Sequence, residues 1–80
     1  MDDASISGRI ERLVAEEHDL LNRDPHDVDL DERHARLNAV KVDLDRCWDL
    51  LRQRRAKREF GEDPDGARVR DGETVERYLG

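Results

Sequence analysis

Five cations, Arg52, Arg54, Arg55, Lys57 and Arg58, stand within seven residues of an otherwise acidic chain. Arginine suits phosphate because its planar fork donates two hydrogen bonds to one oxyanion. The chemistry such a cluster could perform is capture of a small anion, a nucleotide or phosphate. Arg52, Arg55 and Arg58 lie three apart and so line one side of a helix end. The same residues also read as a solvated helix end. There cations complement the C-terminal dipole and pair with Asp49, Glu59, Glu62 and the other acids that follow. The chain carries a net charge of −6, so without these five cations the remainder carries −11. A nucleic-acid backbone would be repelled almost everywhere else, which disfavours it as a partner.

The other reactive residue types form no catalytic grouping. Cys47 has no His near it in sequence to act as a base, so it reads as a buried, inert thiol. Asp27, Asp29 and Asp31 alternate as in a calcium loop. The sixth position is Glu32 rather than Gly, however, and the twelfth is Asn38 rather than Glu. His26 and His34 accompany these acids without a spacing that fixes a metal geometry. Asp31 and His34 make the only acid-x-x-His pair, too few for a carboxylate di-metal bundle. No Gly-rich phosphate loop, nucleophile elbow or zinc spacing is present. The sequence therefore reads as non-enzymatic, with no cofactor and no metal.

The elements that position the basic cluster follow from periodicity. Ile6, Ile10, Leu13, Val14, Leu20 and Leu21 recur at helical spacing and predict a helix from about Asp3 to Asn22, interrupted on its stripe by Glu17. Asp2, Asp3 or Ser5 can cap it. The acidic segment around Pro25 reads as a turn. Asp29, with Glu32 three residues on, resembles a capping box that starts a second helix near Leu30. Leu30, Leu37, Leu44 and Leu51 then repeat every seven residues, with Val40 and Cys47 between, as in a coiled coil. No Gly or Pro interrupts the chain before Gly61 and Pro64, so this helix is long, roughly 45 Å. Arg54 and Arg58 fall on the same seam, so there it must open to water or meet acids from another helix.

Residues 1–61 thus form an antiparallel helical hairpin, one helix short and one long, in an all-α fold. Residues 62–80 form a turn-rich tail with a weak helical pattern near 73–79. Folding the chain at Pro25 sets Leu21 against Leu30, Val14 against Leu37 and Ile6 against Leu44. The first helix ends there. Cys47, Trp48, Leu51 and Phe60 are then left over, with Leu44 at the boundary, and these five are the expected interface. Each large apolar side chain left in water forgoes about 1.5–3 kcal/mol. A symmetric dimer would cover them as a four-helix bundle. The alternatives are the tail, folding Val75, Tyr78 and Leu79 onto Trp48, or an unidentified protein partner.

Composition agrees with solvated helices. Hydrophobic residues are 35% and charged residues 45%, too few of the first to fill a large core. The single Cys fits a reducing cytoplasm. The N-terminus shows no secretion signal, and no run is long enough to span a membrane.

"LDRCWDLLRQRRAKREFGEDPD", with the opening "MDD…I…LVAEEH" and the ending "ARVRD…VERYLG", resembles the small actinobacterial family catalogued as domain of unknown function 2630. The similarity spans nearly the whole chain. It implies a cytoplasmic actinobacterial protein and carries no mechanism. The reading from sequence is a homodimeric, non-enzymatic interaction or regulatory module, the alternative being a small-anion binder at Arg52–Arg58.

Overall fold

The first helix, α1, runs Asp3–Asn22. Asp2 starts it: its carboxylate accepts a hydrogen bond from the Ser5 amide at 2.8 Å, satisfying one of the amides left open in a first turn. The computed structural model describes residues 2–24, 26 and 29–70. Pro25 and the helical pattern expected near 73–79 lie outside the described residues. The second helix, α2, runs Leu30–Glu59. Asp29 caps it, accepting from the amides of Asp31 and Glu32 at 2.9 and 3.3 Å. Both helices fall where periodicity and capping residues place them, and they pack against each other.

The end of α2 is shaped by Gly61, whose φ of 73° lies in the left-handed region. The Glu62 amide donates to the Lys57 carbonyl at 2.7 Å, and the Gly61 amide to Arg58 at 3.2 Å. These two bonds close the helix and reverse the chain. Asp63 then accepts from the Asp65 amide at 2.9 Å and opens a single 3-10 turn, Pro64–Gly66. The chain returns along α2. Gln53 receives it with both ends of its amide: Nε2 donates to the Arg68 carbonyl at 2.7 Å, and Oε1 accepts from the Arg68 amide at 3.2 Å.

The core is one strip between the helices. Ile6, Ile10, Leu13 and Leu20 from α1 meet Val40, Cys47 and Leu50 from α2. Leu37, Leu44, Leu51 and Ala67 pack at its edge and stay partly exposed. The expected pairing register needs correction towards the far end of α2. Near the turn Glu16 pairs with Arg36, close to expectation. Farther along, Asp3 of α1 meets Arg54 and Arg58 of α2. The first helix therefore does not stop opposite Leu44. Cys47 is buried in the hairpin itself, 6% exposed, and Leu51 packs on the core. Ion pairs at both ends set this register, and a rule counting from Pro25 cannot see them.

Domains ordinarily bury their elements in two or more layers. This molecule measures 53 × 25 × 15 Å, and the thinnest dimension is little more than one helix with its side chains. Its radius of gyration is 15.1 Å, against about 12 Å for a compact domain of this length. No helix among the described residues is long and apolar enough to cross a membrane.

Two glycines test these local arguments in opposite directions. Gly8 lies inside α1, where an added Cβ would meet only the end of the Arg12 side chain, at 3.6 Å. Gly8→Ala should raise unfolding free energy by about 0.5–1 kcal/mol. Gly61→Ala should lower it by about 1–2 kcal/mol, because the left-handed conformation crowds a Cβ. Urea unfolding followed by circular dichroism measures both.

Candidate functional site

The basic cluster is built into the fold by its own acids. Arg54 projects from the C-terminal end of α2's inner strip and is 7% exposed. Its Nε donates to Asp3 at 2.5 Å and its Nη1 to Asp65 at 2.9 Å. One guanidinium thus joins the start of α1, the middle of the last turns of α2 and the returning tail. Arg58 also reaches Asp3, at 2.9 Å. Arg55 pairs with Glu59 at 3.2 Å, Lys57 with Glu62 at 3.4 Å, and Arg52 with Asp49 at 3.5 Å. Arg54 meets acids from another element, as its seam position requires. The acids are Asp3 and Asp65.

Asp49 is the buried anion of this end, 3% exposed. It accepts from Gln53 Nε2 at 2.8 Å and faces Arg70 Nε at 3.5 Å. Sequence reasoning named it only as a partner for the cluster, passed over Gln53, and named Asp3 only as a candidate cap of the first helix. The tail acid Asp65 was in view, but nothing local identifies which arginine it meets. The legible signal was the "DPD" turn after Gly61, which must turn the chain back.

The expected interface residues divide. Cys47 belongs to the core, where burial pushes its thiol pKa up, partly opposed by the Arg9 guanidinium. A protonated thiol is a poor nucleophile. Leu44 and Leu51 are half-buried. Trp48 is 51% exposed and Phe60 82% exposed. Val14 and Leu21, expected on the inner stripe of α1, are exposed instead, as is Leu30.

Helical spacing sets Val14 with Leu21 on α1 and Leu30 with Leu37 and Trp48 on α2, and these face the same side of the hairpin; Phe60, at the end of α2, does not. Leu21 and Leu37 line a shallow groove with Glu17, His34, Asn38 and Lys41. The opposite side carries polar cross-helix pairs: Arg36 with Glu16, and Arg9 with Asp43 at 3.5 Å. Between the helices there lies a second groove, lined by Arg23, Glu32 and Arg33 together with Leu20, Ala35 and Ala39. Among the described residues, no group of three His, Cys, Asp or Glu could hold a metal ion. The hairpin therefore has one face bridged by ion pairs and one face of incompletely buried Leu, Val and Trp.

This arrangement spans the same residues as a known family. The model for "Protein of unknown function (DUF2630)" matches residues 2–80. The chain belongs to the DUF2630 family. Similar to it are the uncharacterized protein Rv0898c of Mycobacterium tuberculosis and the uncharacterized protein Mb0922c of Mycobacterium bovis. Each is 43% identical over 79 residues, covering 98% of this chain and 91% of its own. No solved structure matches. For this DUF2630 chain, the residues that carried the resemblance include the Arg54 and Asp65 now seen in contact.

The same contacts set an acid dependence. Hydrogen bonds from Arg58 and then Arg54 hold the Asp3 carboxyl below its ordinary 3.8. A carboxylate pKa depressed by folding stabilises the fold fully above its unfolded value. That contribution is lost as pH falls through the folded value. The melting temperature should therefore be level near neutrality and decline below about pH 4. Asp3→Asn should melt lower at neutral pH and show a shallower acid decline. Parallel curves for the two proteins would show that Asp3 does not couple to folding.

Proposed function

We propose that this protein is a non-enzymatic, homodimeric interaction module that pairs through the apolar face of its hairpin. The observation that supports this reading is the half-exposed Trp48 beside Leu44 and Leu51, on a molecule about one helix thick. A tryptophan and several leucines kept partly in water each forgo a fraction of the ~1.5–3 kcal/mol that full burial gives. Two such faces brought together would supply the second layer that each hairpin lacks. Two-fold symmetry lets one patch serve both partners.

The basic end is assigned a structural role. A nucleotide or phosphate bound there would have to draw Arg54 away from both Asp3 and Asp65 and leave those acids uncompensated. Exposed pairs such as Arg55–Glu59 contribute little individually, about 0.2–1 kcal/mol, and weaken with salt.

Trp48→Glu tests the reading without touching the core strip. The variant should keep its helical circular dichroism and sediment as a monomer at concentrations where the parent sediments as a dimer. A parent that is monomeric, with Trp48 emission shifted to the red on truncation after Arg70, would show that the tail covers the face instead.

A further inference from the structure

We infer that the two copies pair antiparallel along α2, each seating Trp48 in the groove that Leu21, Leu37 and Lys41 form on the other. This rests on the homodimer reading above and specifies its geometry.

The starting observation is a second seven-residue repeat on α2. Leu37, Lys41, Leu44, Trp48 and Leu51 follow one another at spacings of four and three. This row lies beside the strip that faces α1 and shares its leucines. It is the spacing by which two helices interlock side chains. The row carries a projection and a recess. Trp48 is the projection, half exposed on a helix surface. The recess lies two turns and more towards the N-terminus, where His34, Leu37 and Lys41 face Leu21 across the helices. It is a shallow, open groove of about 580 Å³, along which an indole ring can lie.

Projection and recess lie on the same face and cannot meet within one chain. An antiparallel two-fold brings them together twice. When Trp48 lies on Leu37 of the second copy, Leu44 falls beside Lys41 and Leu51 beside His34. Every contact recurs with the copies exchanged, as two-fold symmetry requires. Lys41 gains a specific role there. Its alkyl stem covers Leu44 of the other chain, and its ammonium can approach the indole face.

Charge selects the same direction. The last turns of α2 carry Arg52, Arg54, Arg55, Lys57 and Arg58. Its first turn carries Asp31 and Glu32, preceded by Asp29. A parallel pair would set the exposed Arg52 and Arg55 of one copy beside the same two residues of the other. The antiparallel pair sets the exposed Arg52 and Arg55 within about a turn of Asp29 and Asp31 of the second copy, which is attractive rather than repulsive.

Disulfide trapping distinguishes the directions. His34→Cys and Leu51→Cys are made separately, each with Cys47→Ala, then mixed reduced and oxidised. In the antiparallel pair His34 of one copy adjoins Leu51 of the other, whereas like positions stand roughly 25 Å apart along the axis. The mixed disulfide should exceed either self-disulfide by about tenfold. Predominant self-disulfides from a dimeric protein would overturn the antiparallel geometry and leave the dimer reading intact. A monomeric parent by sedimentation would overturn both. A second measurement avoids cysteine altogether. In the full chain, Lys41→Glu should move Trp48 emission to the red and raise iodide quenching about twofold, with helix content unchanged. Unchanged emission and quenching at dimeric concentration would show that Trp48 does not seat against Lys41.

Discussion

Arg54 is the point on which the three segments of this protein converge. It arises from α2 and is held by Asp3 at the start of α1 and by Asp65 in the returning tail. A buried guanidinium demands partners, because an unpaired charge away from water is costly. That demand fixes how far α1 runs beside α2, and it fixes where the chain must go after Gly61. The Gly61 reversal, the Asp63 turn and the Gln53–Arg68 pairing all deliver Asp65 to the same side chain. The basic end is thus a joint of the fold, with its charge satisfied internally.

A consequence appears on the opposite flank. With its register fixed by ion pairs at both ends, the hairpin can bury only one strip of each helix. Val40, Cys47 and Leu50 fall inside that strip; Trp48 falls outside it. The leucine repeat straddles the boundary, half buried against α1 and half presented outward. A helix with apolar residues on one and a half faces is ill suited to a two-helix monomer and well suited to a four-helix arrangement. The acidic, highly charged remainder keeps the other surfaces solvated.

Local signals carried most of what was legible in the sequence. Apolar spacing placed α1, Asp29 and Glu32 marked the start of α2, and Gly61 with Pro64 marked its end. Each of these depends on neighbours within a turn or two of the chain. The inner face of α2 was harder, because Leu50 and Leu51 are adjacent and a seven-residue repeat accommodates either as the buried one. Leu50 is buried and Leu51 lies at the edge. The long-range partners were not legible. Asp3 and Arg54 are 51 residues apart, and nothing in their own surroundings names the other. Asp49 reads as one more surface acid until Gln53 and Arg70 close over it. Membership of the DUF2630 family was legible in the block around Trp48 and in the "EFGEDPD" that follows.

In the proposed dimer the face around Trp48 is covered by a second copy. Tryptophan emission and sedimentation, followed together on the full chain from micromolar to millimolar concentration, test it most directly. The proposed dimer should give a monomer-to-dimer rise in mass with a blue shift of Trp48 emission over the same concentration range. A constant monomer mass, with the emission of a water-exposed tryptophan throughout, would contradict it.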